Sequence, residues 1–316
     1  MSDSVDVLII GGGPAGLACA GNLACQLHTA IVFSHEKFRD DKASRVEDKD
    51  CTKVYLPHEE VKSDILKRHS DVIQFKNVEI KSVRKMKRNG QFEAVDTAGN
   101  KYRGRKVLLA SGITDLMLSL PGYEELWGRS IPYAQKGAPS AGVLAIGIVE
   151  VKSFVAVVAR MVGRLAGTVN VYTNGAGDEI RNKFKSLLKN TKYNFIDTTI
   201  ERLEKDPDVD GDAGVLVKLA DGSVNKEAFL AHSPYFKLNG SFAEDLGVEV
   251  TSTGYINAQS STYYGTNVKG VFAAGDCATD LRFAAQAITM GNCAAIGLAH
   301  SLQAEEDNGR LFPWDG

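Results

Sequence analysis

The chain has 316 residues, 44% of them hydrophobic and 24% charged, with a formal net charge of -2. That is material for two modest domains or one large α/β domain, and it excludes the basic footprint expected of a nucleic-acid binder or of a protein held on an anionic membrane. No stretch reaches the ~18 apolar residues of a membrane span, no basic leader precedes the first apolar run, and the five cysteines (19, 25, 51, 277 and 293) include no C-x-x-C and no zinc spacing, so a cytoplasmic, metal-free protein with reduced thiols is expected.

Val5–Ile10 is an apolar run broken by one Asp, the pattern of a buried parallel strand. Gly11-Gly12-Gly13-Pro14-Ala15-Gly16 follows, then a small-residue helix from Leu17 to near Leu27, then a second strand over Thr29–Phe33. Strand, glycine turn, helix and strand in this order are the context a dinucleotide site requires. Gly11 permits the tight turn, Gly13 lets the backbone approach a pyrophosphate, and Gly16 allows close helix–strand packing. Pro14 and Ala15 open a helix whose free N–H groups and dipole face the phosphates. An acidic residue is expected at the end of the second strand, where it takes ribose hydroxyls. Ser34 stands there instead, followed by His35 and Glu36. Ser34 and Glu36 are candidates for the ribose, or else plain loop residues.

Residues 35–60 read as a long polar excursion that contains His35 and His58. Glu59–His69 reads as a helix and Val72–Phe75 as a strand. Val78–Val83, Phe92–Asp96 and Lys101–Arg103 suggest a meander with a turn at Asn89-Gly90. Val107–Gly112 is another buried strand, and Val78, Ala110 and Gly112 join the candidate cofactor contacts. After the turn signal Leu120-Pro121-Gly122-Tyr123 a second α/β pattern begins: strand Gly142–Ile148, helix Ser153–Leu165, strand Val169–Tyr172, helix Glu179–Lys189, and a hairpin around Ala220-Asp221-Gly222-Ser223.

The apolar pattern returns at Gly270–Gly275, followed by Asp276 and Cys277, and a long helix from about Arg282 to Leu302 closes the pattern. A buried strand ending in Gly275-Asp276 sets one carboxylate beside the pyrophosphate and ribityl chain. A carboxylate accepts hydrogen bonds from ribityl hydroxyls, so the motif favours FAD over a nicotinamide dinucleotide. The last helix is expected to aim its N-terminus, with Gln286 and Ala287, at the flavin pyrimidine edge, where its dipole would stabilise negative charge. Gln286 and Arg282 are candidates to touch that edge, or else polar residues of the helix surface.

On Gly11–Gly16, Leu109-Ala110-Ser111-Gly112-Ile113-Thr114-Asp115, Leu120-Pro121-Gly122-Tyr123, Trp127-Gly128-Arg129-Ser130-Ile131 and Val271–Cys277, the sequence resembles the low-molecular-weight thioredoxin reductase family of flavoproteins. It looks most like the fungal branch that includes gliotoxin-type dithiol oxidases. The likeness covers nearly the whole chain. It implies an α/β fold of two Rossmann-like dinucleotide-binding domains, the second inserted in the first, with residues 1–118 plus 235–316 as the FAD domain and 119–234 as a degenerate NADPH-type domain. It also implies a homodimer, and a place in secondary metabolism.

Two working parts of that family are missing. The redox-active C-x-x-C is expected after Ser130-Ile131, where the chain reads Pro132-Tyr133-Ala134-Gln135-Lys136-Gly137. No thiol–disulfide relay can run there. The second glycine fingerprint is expected after Ile146, where only Gly147 remains, followed by Ile148, Val149 and Glu150. Bulky side chains and a carboxylate stand where a pyrophosphate needs glycine backbone. Thr173-Asn174 replaces the arginines that pair with a 2′-phosphate.

What remains is a flavin that takes a hydride from a small organic substrate and returns electrons to dioxygen: an oxidase or dehydrogenase whose chemistry belongs to the cofactor. A base beside the flavin would remove a substrate proton. The candidates are His58, His35, Tyr133 and Lys136, each of which is otherwise a surface residue. The alternatives are a dithiol oxidase acting directly on a small dithiol, a non-catalytic scaffold that retains FAD, and a nicotinamide-dependent monooxygenase or reductase.

Overall fold

Two α/β units make up the chain, and the computed structural model describes residues 4–39, 57–87, 90–131, 137–146 and 152–307. The first unit takes its described residues from the chain up to Arg39, from residues 57 to 114, and from Lys237 onward; the second is Asp115–Phe236. The division falls before Met117, Leu118 and Leu120 because these side chains pack into the core of the second unit.

In chain order the first unit begins with strand β1 (Val5–Ile10), helix α1 (Pro14–Cys25), strand β2 (Ala30–Ser34), helix α2 (His58–His69), and strands β3 (Ile73–Asn77), β4 (Ile80–Lys85), β5 (Phe92–Asp96) and β6 (Lys101–Leu109). Strand β7 (Ile113–Asp115) leads into the second unit: helix α3 (Tyr123–Leu126), strand β8 (Ala138–Leu144), helix α4 (Lys152–Leu165), strand β9 (Ala166–Tyr172), helix α5 (Gly177–Leu187), and strands β10 (Tyr193–Ile196), β11 (Ile200–Lys205), β12 (Val215–Leu219), β13 (Val224–Glu227) and β14 (Leu230–Ala231). Strand β15 (Phe236–Leu238), which pairs with β7, leads back to helix α6 (Phe242–Leu246), strand β16 (Val271–Ala273) and helix α7 (Ala284–Glu306).

The main sheet of the first unit runs β3-β2-β1-β6-β5-β4, with β16 also on β6. β1, β2, β3, β6 and β16 are parallel, and β4, β5 and β6 are antiparallel. The stretches 101–103 and 107–112, expected as separate strands, belong to one strand as far as Leu109. Its first half pairs with β5 (Gly104 opposite Phe92) and its second half with β16 (Val107 opposite Val271). The charges that interrupt the apolar pattern are tied down by ion pairs. Arg105 reaches Asp6 and Glu306, and buried Lys106 reaches Glu305. One face of the sheet packs on α1 and α7 through Leu17, Leu23, Met290, Ala294 and Leu298. The other packs on residues around α6, including Phe242 and Val248.

In the second unit the parallel sheet runs β10-β9-β8-β14, beside a separate antiparallel sheet β11-β12-β13. The first strand of this unit covers 138–144, not the expected 142–148. Its ladder with β9 runs from Ala138 opposite Ala166 to Leu144 opposite Tyr172, so the apolar run Val143-Leu144-Ala145-Ile146 leaves the sheet midway; residues 147 and 148 lie outside the described set. α4 buries Val155, Ala156, Ala159 and Val162 against this sheet. No helix among the described residues is long and apolar enough to cross a membrane.

Candidate functional site

The glycine turn between β1 and α1 shows which positions exclude a side chain for the protein's sake. A Cβ on Gly11, whose φ is +119°, would lie 2.1 Å from the Ala110 carbonyl oxygen, and one on Gly16 would lie 1.9 Å from the Gly11 oxygen. Both glycines are needed for backbone to meet backbone. Gly13 is different: a Cβ there meets nothing within 4 Å. The space beside Gly13 is therefore open where a phosphate group would approach α1. No side chain caps α1, and Pro14 stands in its first turn, so the backbone N–H groups of Ala15 and Gly16 are the donors this end offers.

Three further segments converge on the turn. Ala110 N–H donates to Ile10 O at 2.9 Å at the end of β6. Gly112, with φ +69°, follows, and Asn239 Nδ2 donates to Ser111 O at 2.8 Å to hold that bend. From the other side a Cβ on Gly275, φ +81°, would lie 3.0 Å from Ala15 Cβ and 3.9 Å from Ala287 Cβ. The first turns of α1 and α7 thus meet at Gly275, with Asp276 next in the chain. α7, like α1, has no side-chain cap; its N-cap is Phe283. Gln286 hydrogen-bonds the Tyr264 phenol. Arg282 Nη2 donates to Tyr255 Oη at 2.7 Å, so its guanidinium is drawn to that ring.

Asp276 Oδ2 accepts from Arg39 Nη1 at 3.1 Å, across 237 positions of sequence. At the end of β2, Ser34 packs on Gly12, where a Cβ would lie 2.6 Å from Ser34 Cβ. Glu36 pairs with Lys62 of α2 at 2.8 Å. Val78 follows β3 half-buried, packed on the sheet core. Arg39, Lys62 and Asn239 escape a reading of the sequence because their partners are distant in the chain. The two uncapped helix starts, the open space at Gly13 and the carboxylate at Asp276 fit the pyrophosphate and ribityl chain of FAD.

The base candidates fare unevenly. Tyr133 and Lys136 lie outside the described residues. His35 is exposed, and its Nδ1 accepts from Lys37 N–H at 3.2 Å. His58, expected in a loop, is the first residue of α2, because Pro57 before it serves as the N-cap. Its ring lies 4.1 Å from that of Phe38, and its buried Nε2 has no hydrogen-bond partner among the described residues. His58 stands one turn before Lys62, on the helix side that Lys62 turns toward Glu36. Among the described cysteines, 19, 25, 277 and 293 are free thiols. Cys277, next to Asp276, is buried; its S–H is directed at Leu109 O and Ala274 O, both at 3.4 Å, and burial pushes its pKa up to about 11. It is an inert core thiol, not a nucleophile. Among the described residues no group of three or more His, Cys, Asp or Glu is placed to hold a metal.

In the second unit several polar side chains at the strand ends bond to the chain itself. Buried Thr173 donates its hydroxyl to Asp197 Oδ1 at 2.6 Å, and Asn174 Oδ1 accepts the Ile200 N–H at 2.7 Å. Asp178 and Glu179 open α5, and Arg181 is ion-paired with Asp178. Between the ends of β8 and β14, buried His232 lies 2.6 Å from Tyr123 Oη through Nδ1 and 3.3 Å from Ile146 O through Nε2. Burial pushes the His232 imidazole down to about pKa 4, so it is neutral there.

The sequence profile of the family described as pyridine nucleotide-disulphide oxidoreductase matches residues 5–291. The thioredoxin reductase aclD of Aspergillus oryzae is 31% identical over 95% of this chain and 97% of its own. The thioredoxin reductase tcpT of Claviceps purpurea is 33% identical over 99% of each. Among solved structures, the thioredoxin reductase from Streptococcus pyogenes aligns at a TM-score of 0.76, with 20% identity, over 96% of this chain and 100% of that one, a likeness of fold.

Proposed function

The chain belongs to the pyridine nucleotide-disulphide oxidoreductase family, and from that premise we propose that this FAD-dependent oxidoreductase works as an oxidase of a small organic substrate, with no redox disulfide and no nicotinamide supply. When bound, FAD would supply the redox chemistry, a hydride acceptor for the substrate whose electrons would go on to dioxygen to give hydrogen peroxide. The substrate is placed among secondary metabolites on the resemblance to the gliotoxin-type branch, and the working form is proposed to be a homodimer.

One observation supports the reading: polar side chains at the strand ends of the second unit bond to the protein itself. Thr173 and Asp197 satisfy each other, and Arg181 is held by Asp178 in the first turn of α5. Buried His232 is bonded to Tyr123 and to Ile146 beyond the ends of β14 and β8, beside the switch point at which such sheets hold ligands. The buried thiol of Cys277 and the lack of any C-x-x-C in the sequence support an electron path without cysteine.

In this reading the first-turn N–H groups of α1, at Ala15 and Gly16, hold the pyrophosphate. Asp276 would accept from ribityl hydroxyls. The N-terminus of α7, at Ala285–Ala287, would favour negative charge on the ring system. The base that takes the proton leaving the substrate is proposed to be one of His58, Tyr133 and Lys136. Anaerobic mixing of the purified protein with NADPH tests the proposal. The flavin band is expected to persist, and to bleach only with a small organic donor and return with oxygen. Rapid bleaching by NADPH would overturn it, and a flavin that no donor reduces would favour a scaffold.

A further inference from the structure

The second unit carries its charge unevenly. Residues 152–192, which hold α4, β9 and α5, contain eight Lys or Arg and two Asp or Glu. Residues 201–212, which hold most of β11 and the turn toward β12, contain six Asp or Glu and two Lys or Arg. The two segments lie on opposite faces of the parallel sheet. α4 and α5 pack on Ala141, Val143, Val169 and Val171. β11 and β12 pack on Leu144 and Tyr172, which alternate with those residues along the same strands. On the helical face Val157 and Met161, one turn apart on α4, are 44% and 65% exposed. Arg160 and Arg164 flank them, both exposed. Arg160 Nη2 donates to Leu187 O at 2.8 Å, which ties the end of α5, with the exposed Leu187 side chain, to this part of α4. That bond, like the one from Lys192 to Gly163 O, goes to a main-chain oxygen and leaves the cation uncancelled.

On the opposite face the β11–β12 turn is an ordered acidic tip. Lys205 Nζ donates to Asp206 O at 2.8 Å and to Val209 O at 2.6 Å, and Asp206 Oδ1 accepts the Asp208 N–H at 3.0 Å. Val209 is seated on Gly214, where an added Cβ would lie 2.8 Å from Val209 Cβ, yet it stays 38% exposed between Asp208 and Asp210. Lys226, 2.8 Å from Asp208 and 3.5 Å from Asp206, cancels part of the charge, and Arg202 and Lys218 pair with Glu204. Asp210 is exposed. We propose that the tip Asp208-Val209-Asp210 of one copy docks on the α4–α5 face of a second copy, with Val209 against Val157, Met161 and Leu187 and the two carboxylates toward Arg160 and Arg164. An apolar centre rimmed by carboxylates then meets an apolar centre rimmed by cations, which fixes partner and register. The tip is already held by its own hydrogen bonds, so it loses little freedom on docking. Because the two surfaces lie on opposite faces of one sheet, a copy cannot receive its own tip, and the contact is head-to-tail. It goes beyond the homodimer proposed above: a closed pair uses one self-complementary patch, whereas this contact links copies, or pairs of copies, in a row or a ring. The surface is small, so the association is weak and reversible.

Sedimentation velocity of the full-length protein as purified, over a range of concentrations at low and at high salt, tests the contact. The sedimentation coefficient is expected to rise with concentration at low salt, and the rise to vanish in about 0.5 M NaCl, where charges are screened within a few ångströms. Arg160→Glu with Arg164→Glu, and separately Asp208→Lys with Asp210→Lys, should each weaken self-association about tenfold or more, as the reversal of two exposed ion pairs implies. An equimolar mixture of the two reversed variants should associate again, because the acidic face of the first then meets the basic tip of the second. Misfolding cannot produce that recovery. Met161→Ser, at a position that already faces water, should also weaken association with an unchanged melting temperature. A wild-type protein that stays one species at every concentration at low salt overturns the inference. So does self-association that survives in both reversed variants, or a mixture of them that stays apart. None of these outcomes touches the FAD assignment or the oxidase reading, since neither surface carries a residue of that site.

Discussion

Substituting Gly13 by valine separates what the glycine turn does for the fold from what it does for the cofactor. Gly13 has φ -74° and ψ -175°, an extended conformation open to any residue, and an added Cβ meets nothing within 4 Å. The cost to the flavin-free protein should stay within about 0.5 kcal/mol, as at an unconstrained surface site. The cofactor fares differently, because the new side chain fills the space through which the pyrophosphate approaches the N–H groups of Ala15 and Gly16. Two hydrogen bonds to a charged group, at roughly 1.5–3 kcal/mol each, amount to about a hundredfold to ten-thousandfold in Kd. Losing a hundredfold of saturation removes about 2.7 kcal/mol of ligand-linked stability, or roughly 5–10 °C of melting temperature. Gly16→Ala is the control: its Cβ would lie 1.9 Å from Gly11 O, so it should destabilise the protein with or without FAD, by about 1–3 kcal/mol or more. Thermal melts with and without added FAD, beside flavin absorbance after purification, read both effects. Full FAD occupancy in Gly13→Val, or a loss of flavin-free stability as large as that of Gly16→Ala, would refute the reasoning.

Asp276→Ala should purify with little flavin and Asp276→Asn with an intermediate amount, since the amide oxygen still accepts from ribityl hydroxyls; full occupancy of the alanine variant, measured by absorbance, would remove Asp276 from the site. His232 gives the second unit a pH dependence. Its folded pKa of about 4 lies below the usual 6.5, so the unfolded chain takes up a proton first as pH falls. Stability is full above about pH 6.5, declines toward pH 4 by up to roughly 3 kcal/mol, and is flat below. Urea midpoints at pH 7 and pH 5 should differ less in His232→Gln; an unchanged difference would show that another group sets the slope. Replacing all five cysteines, the buried pair 19 and 277 by alanine and the rest by serine, should leave FAD binding and donor-dependent bleaching in place; loss of bleaching with FAD retained would reveal a thiol mechanism.

The cofactor fingerprint was legible in the sequence because it is local. Val5–Ile10, Gly11–Gly16 and the α1 pattern follow one another within a few turns of chain, and each glycine has a steric reason that needs no distant partner. The Gly275-Asp276 motif was readable for the same reason. The limits of β6 and β8 were not, since charges inside β6 are neutralised by Glu305 and Glu306 from α7, and the end of β8 is set by its ladder with β9. Nor could Arg39 be tied to Asp276, Lys62 to Glu36, or His232 to Tyr123 and Ile146. Residue type and spacing determine which backbone turns can form and which helix ends they expose. Which side chains then meet at those ends, and which of them bond to one another at the strand ends of the second unit, is decided only when segments far apart in the chain are packed together.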